Sequence, residues 1–230
     1  MVNRTTSAGG AGSLIGYGDG GRQSPLPAPP TQARGVDKRD RLYQAAIARY
    51  AQGGIAETRV EDVIADADVS WATFFRYFPR KEDVLLEGAA RHFRDRVRTV
   101  AEHGLRDRRL RVRTVIERTF AALLRSADLP QALHNAAVLE VFANPARFAA
   151  LVGDHPQPVV GLVAQLLKEG QRRGEVRADV DVGLGALALS AGCMFPAVQA
   201  AALGADPVES AAGALEILWD GLTGPGEKGA

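Results

Sequence analysis

The sequence has one cysteine, Cys193, and only four histidines in 230 residues. A single thiol closes no intrachain disulfide and builds no thiolate-rich metal site, so a reducing cytoplasm is the default compartment. His92, His103, His134 and His155 are scattered, with no i,i+4 pair around a helix-borne Glu, and no metal site is expected. Neither a G-x-S-x-G nucleophile turn nor a G-x-x-x-x-G-K-[ST] phosphate loop occurs. Cys193 lies beside Met194 in an apolar stretch, where a small buried hydrophobe is a better reading than a nucleophile. These absences leave no catalytic machinery and no cofactor to expect. Arg4 is not followed by an apolar segment of the kind a secretory signal needs. No apolar run is expected to approach the about 18 residues that span a bilayer, and no membrane partner is expected. With 46% hydrophobic and 24% charged residues, the composition is that of an ordinary globular protein.

Charge of one sign is also nearly lacking, with a formal net charge of +1, but its distribution is uneven. Residues 34–113 carry 18 Lys/Arg against 13 Asp/Glu, and residues 114–230 carry 8 against 13. A basic first half and an acidic second half predict that the first half meets a polyanion.

Residues 1–36 are rich in Gly, Pro, Ser and Thr, with Pro25, Pro27, Pro29 and Pro30 close together. They offer little apolar surface against the entropy of ordering and read as a disordered tail. Within the tail, Gly16-Tyr17-Gly18-Asp19-Gly20-Gly21 has G-x-G-x-x-G spacing. That fingerprint needs a strand before it and a helix after it, and neither is predicted here, so it is no nucleotide site.

From Asp37 onward the apolar spacing is helical, without sustained strand alternation. The predicted fold is all-α. A first helix aligns Leu42, Ala45, Ala46 and Tyr50 and ends near Gly53-Gly54. Thr58-Arg59-Val60-Glu61 fits a capping box, with Thr58 as N-cap of a short second helix striped by Val60, Val63 and Ile64. That helix stops at Asp66-Ala67-Asp68. Ser70 caps a short third helix through Phe78, and Pro79 ends it. A long fourth helix is predicted from Lys81-Glu82-Asp83 to about His103. Helices follow around Val112–Leu124, from Pro130 to Asn144-Pro145, and from Pro156 and Pro158 to Gly174. The last two run from about Val180, with Pro196 inside, and from Asp206-Pro207 through Trp219. The boundaries predicted are a disordered tail over 1–36, a first helical unit over 37–83, a second over 84–223, and a disordered end over 224–230.

Two short helices joined by a turn at Asp68-Val69, after a longer helix, make a helix-turn-helix. On the third helix Phe74 and Phe78 lie four apart and should face the core with Val69. Ala72, Thr73, Arg76 and Tyr77 then make an outer face suited to the major groove. Ala72 allows close approach and a thymine-methyl contact, and Arg76 can donate two bonds to guanine. Thr73 and Tyr77 can bond phosphates or base edges. Thr58 and Ser70 are predicted at helix N-termini that attract phosphate, and Lys81 adds a point charge. A solvated amphipathic helix with a surface Arg and Tyr remains the plain alternative on spacing alone.

The stretches Arg39–Ala46, Thr58–Val63 and Val69–Leu85 resemble the TetR (tetracycline-repressor) family. The run Thr73-Phe74-Phe75-Arg76-Tyr77-Phe78-Pro79-Arg80-Lys81-Glu82 is the most specific part, and the match covers about residues 38–86. The resemblance implies a homodimer that binds double-stranded operator DNA through a DNA-binding domain over 37–83, and a small-molecule effector of unknown identity through an effector-binding and dimerisation domain over 84–223. It further implies that Thr58, Ser70, Trp71, Ala72, Thr73, Arg76, Tyr77 and Lys81 face DNA. Two positions depart from the family pattern: Asp68 stands where the turn usually has Gly, and Ile64 where helix two usually has a small residue. Trp71 is unusual at its position and either packs on sugar or base or folds back on Phe75. The alternative to a regulator is a helical enzyme or small-molecule carrier without DNA binding, or a scaffold whose aromatic helix grips a protein. Pocket-type residues in the second half are His134, Asn135, Phe142, Phe148, Phe195 and Trp219, none assigned to a ligand. The last two helices, one faced with small residues and one with Leu and Trp, are expected to pair with their symmetry mates.

Overall fold

A computed structural model describes residues 32–127, 129–153 and 157–223, so most of the predicted tail, Pro156 and the predicted disordered end lie outside the described residues. All regular structure among the described residues is helical. Helix α1 (Ala33–Glu57) starts four residues before the expected Asp37. Gly54 interrupts it with φ 80° and ψ 163°, where the Gly53-Gly54 stop was expected. α2 (Val60–Ala67) and α3 (Trp71–Tyr77) follow closely. Asp68 joins them in the left-handed region at φ 50°, the one non-glycine residue with positive φ among those described. A carboxylate side chain tolerates that conformation better than most, which accounts for Asp in place of Gly.

The predicted fourth helix is a continuous rod in three segments. α4 (Asp83–His92) passes through a π-helical turn at Phe93–Val97 into α5 (Arg98–Arg106). The body then adds α6 (Val112–Leu124), α7 (Gln131–Ala143) and α8 (Pro145–Val152), the last a separate helix beginning on the proline expected to stop its predecessor. α9 (Pro158–Arg173), α10 (Val182–Ala202) and α11 (Pro207–Trp219) complete it. The Asp206 side chain accepts from Val208 N at 2.8 Å, and Asp181 does the same for Leu184 N at 2.8 Å, so both carboxylates cap their helices.

Burial divides into three apolar clusters. Leu42, Ala46, Tyr50, Val63, Phe74, Phe78, Val84 and Leu85 form the core of the head, which rests on Leu133 and Ala137 of α7. Leu86, Phe93, Val97, Phe148 and Leu151 join the rod to α8. The body core gathers Val112, Ile116, Leu166, Leu167, Leu189, Leu215 and Trp219.

α10 corrects one expectation. At 21 residues, with a mean hydropathy of 1.5 over an 18-residue window, it is long and apolar enough to cross a membrane. In the fold it instead packs against α9 and α11. Leu189, Cys193, Met194 and Ala197 point into the body core. Burial pushes the Cys193 thiol up to about 12, far from a reactive thiolate.

Candidate nucleic-acid interface

The head presents α3 outward because its inner side is committed to the core. Phe74 and Phe78 are fully buried, as their spacing predicted. Ser70 Oγ accepts from Thr73 N at 3.3 Å and lies 2.9 Å from Thr73 Oγ1, which makes Ser70 the N-cap expected of it. Ala72 and Arg76 are exposed and Thr73 is half-buried, forming one strip along the helix. The Arg76 guanidinium lies 4.9 Å from the Tyr77 ring centroid and donates to Tyr77 Oη at 3.3 Å. It is thereby held in one region of the surface before any ligand arrives.

Three predicted positions fall elsewhere than expected. Tyr77 is only 7% exposed and belongs to the head core, with its hydroxyl at the edge beside Arg76. Its place three residues after Phe74 puts it on the flank of the buried arc. Thr58 does not cap α2: Arg59 occupies that position without a side-chain bond, and Thr58 Oγ1 donates instead to Gly54 O at 2.7 Å. The capping box is therefore absent. Lys81 Nζ donates to Ala56 O at 2.8 Å and to Thr58 O at 3.4 Å, closing the carbonyl end of α1. Tyr50 Oη donates to Lys81 O at 2.8 Å, so Lys81 staples α1 to the start of α4.

Of its two open possibilities, Trp71 takes the second and leans back on Phe75. Its ring centroid is 5.0 Å from that of Phe75, yet the residue is 51% exposed.

The sequence reading missed the charges that position this face. Arg49 grips Asp66 through Nε and Nη2 at 2.6 and 2.8 Å, and Arg41 donates to Ala67 O at 2.9 Å, so two side chains of α1 fix α2. Between α1 and α4, Arg39 reaches Glu87 at 2.7 Å, Arg91 reaches Glu87 at 2.9 Å, and Arg91 also binds Asp40. Burial favours the neutral acid at Glu87, but Arg39 and Arg91 outweigh it and hold the carboxyl below its usual range. At the N-terminus of α4, Asp83 accepts from Arg80 N at 2.8 Å and from Arg147 of α8 at 2.6 Å. Burial nonetheless leaves the Asp83 carboxyl above its usual range. Arg59 is a further exposed cation at the start of α2, 3.8 Å from Glu61.

The basic excess of the first half does not lie on this face. Residues 34–86 hold nine Lys/Arg and nine Asp/Glu, whereas residues 87–113 hold nine against four. The excess therefore belongs to the rod and its turn into α6, and the head carries its exposed cations without a net positive charge.

In the body, a cleft of about 140 Å³ is lined by Phe93, Ala101, Leu105, Val152 and Leu162, with Arg98, Glu102 and Gln165 as its polar members. None of the six pocket-type residues lines it. His134, Phe148 and Trp219 are buried core, Phe142 and Phe195 are exposed, and Asn135 bonds to Gln131 at 2.7 Å.

Residues 42–87 match the family model described as bacterial regulatory proteins, tetR family. FadR of Thermus thermophilus, a TetR-family transcriptional repressor solved with lauroyl-CoA, aligns with a TM-score of 0.67 and 25% identity, over 84% of this chain and 98% of that one. A regulator of the same family type from Mesorhizobium loti aligns at 0.57 and 18%, over 81% and 97% of the two chains. One from Rhodococcus sp. aligns at 0.55 and 22%, over 82% and 99%. These last two share the fold with the chain. No curated protein matches the sequence.

Proposed function

We propose that the chain is a TetR-family regulator, a cytoplasmic homodimeric repressor that releases a palindromic operator when a small molecule binds its body. The observation that carries the reading is the outward strip of α3, where Ala72, Thr73 and Arg76 stand on a helix whose other side is sealed in the core. Arg76 is assigned to guanine, Thr73 and Ser70 to phosphate or base edges, and Ala72 to close approach. Tyr77 contributes through its hydroxyl edge and by holding Arg76. Thr58 and Lys81 contribute by closing the carbonyl end of α1, which Lys81 also joins to the start of α4.

The second copy is assigned to the outer side of α10 and α11. Leu184, Leu187, Ala188, Ala191 and Phe195 recur at helical spacing along α10 and are exposed, as is Ile217 on α11. Apolar residues in one stripe on adjacent helices favour an isologous four-helix contact. Such a dimer sets two recognition helices at the about 34–36 Å of successive major grooves. The effector is assigned to the cleft between the rod, α8 and α9. Its apolar wall and polar members suit a ligand with an apolar body and a polar end, and lauroyl-CoA is the first probe because FadR holds it. Nothing in this reading requires catalysis.

The test is selection from randomised duplex DNA by the purified protein, followed by sequencing. An inverted repeat should be enriched, and lauroyl-CoA or a related acyl thioester should lower its capture. No enrichment at low salt, where phosphate contacts are strongest, would overturn the regulator reading.

A further inference from the structure

We propose that Trp71 reads a thymine 5-methyl group, so that one thymine in each operator half-site is recognised by apolar contact with the indole. The inference rests on the DNA-binding reading above and adds the base class that a specific residue selects.

Trp71 opens α3, on the helix that carries Ala72, Thr73 and Arg76. Among the described residues of the head it is the largest apolar side chain left half exposed, at 51%. Most aromatic rings of this chain are hidden, and Phe74 and Phe78 on the same helix are fully buried. The indole is also held in place. It leans on Phe75 at 5.0 Å between centroids, Phe75 meets Phe74 edge-on at 5.2 Å, and Phe74 meets Phe78 at 5.9 Å. A line of rings therefore runs from the surface into the core, each pair at a favourable separation. Contact made by a ring already fixed in this way costs little further side-chain entropy.

In the major groove, the only apolar feature that distinguishes one base pair from another is the thymine methyl. An indole face delivered there gains by covering that methyl and gains nothing specific from cytosine, adenine or guanine. The surroundings argue against a role in gripping phosphate. Glu61 and Asp68 line the crevice next to Trp71, with Ile64, Ala65 and Val69 as its apolar floor. Two carboxylates repel a phosphate and tolerate a base edge, since carboxylates accept from cytosine amino groups. Methyl recognition by Trp71 and guanine recognition by Arg76, five residues further along the same helix, would together give the half-site a thymine and a guanine.

The experiment uses the full chain and the operator obtained by selection. Each thymine of one half-site is replaced in turn by deoxyuridine, which removes only the methyl, and affinity is measured for the wild type, Trp71→Ala and Ala72→Gly. Loss of one buried methyl is expected to weaken wild-type binding about fourfold at a single thymine. The same substitution should be neutral for Trp71→Ala and retain its effect for Ala72→Gly. The inference is overturned if no thymine is methyl-dependent in the wild type. It is equally overturned if the dependence survives in Trp71→Ala or vanishes in Ala72→Gly, which would move the contact to Ala72. Uniform weakening of Trp71→Ala on every duplex, without a methyl effect, would make Trp71 a backbone contact and also overturn it. Because the wild-type series alone can refute the idea, a folding defect in the variant does not protect it. Failure to obtain any operator would instead defeat the regulator reading itself.

Discussion

Glu87 holds two arginines, and its replacement isolates what the buried charges of the head contribute. Its side chain and that of Arg39 are almost wholly enclosed, at 7% and 4% exposure. Glu87→Gln keeps the shape and removes the charge, leaving the Arg39 guanidinium buried without a counter-ion. Removing one partner of such a pair costs about 3–5 kcal/mol, so urea denaturation of the variant should show a loss of that size. A loss below about 1 kcal/mol would mean that water reaches the pair and screens it. His134 gives a pH signature. Burial, despite its bond to Leu123 O at 2.9 Å and with the His92 ring 5.1 Å away, holds its imidazole below the ordinary 6.5. A depressed folded value means that the unfolded chain takes up the proton first. Stability from this group is therefore complete above about pH 6.5 and falls as the pH drops towards the folded value. The urea midpoint of the wild type should decline more between pH 7.5 and 5.5 than that of His134→Gln. Parallel declines would remove His134 from the account.

Among the elements, the joints are tighter than the helices themselves. A Cβ at Gly104 on α5 would sit 2.7 Å from Val115 Cγ1 of α6, and one at Gly192 on α10 would sit 2.5 Å from Leu218 Cδ1 of α11. Val115 is β-branched with one favoured rotamer, whereas the end of Leu218 can swing aside. Gly104→Ala should thus destabilise by about 1–3 kcal/mol and Gly192→Ala by clearly less, which thermal melts of the two variants would compare. The reverse order would contradict the packing described for these joints. The same elements show what the sequence could reveal. Ser70 as a cap, Asp68 at a left-handed turn, and the buried Phe74 and Phe78 were legible because each depends on residues within one turn. Tyr77 was misplaced because a helix of seven residues has too few positions to define where its buried arc ends. The Thr58 capping box failed because Gly54, four residues earlier, offered the hydroxyl a nearer carbonyl. The Arg39–Glu87 pair spans 48 residues, and no local pattern reports a contact at that separation. Net charge misled in the same way, since a sum along the chain does not say which surface carries it.

For the molecule as a whole, the account requires two copies and one reading face. If the outer stripe of α10 and α11 holds the dimer, Leu184→Glu combined with Ile217→Glu should yield a monomer in sedimentation. Both side chains are largely exposed in the single chain, at 67% and 79%, so its fold should survive. A variant that still sediments as a dimer would move the interface elsewhere. The central claim is that the α3 face distinguishes one DNA sequence from another, with Arg76 as its main donor to bases. Its most direct test is fluorescence anisotropy of the wild type and Arg76→Ala on the selected operator and on a scrambled duplex of equal composition, at one salt concentration. The account predicts that the wild type prefers the operator by about a thousandfold or more. Arg76→Ala should lose roughly tenfold to a hundredfold on the operator while changing far less on the scrambled duplex. Equal affinity of the wild type for both duplexes, or an Arg76→Ala protein that keeps the full preference, would contradict it.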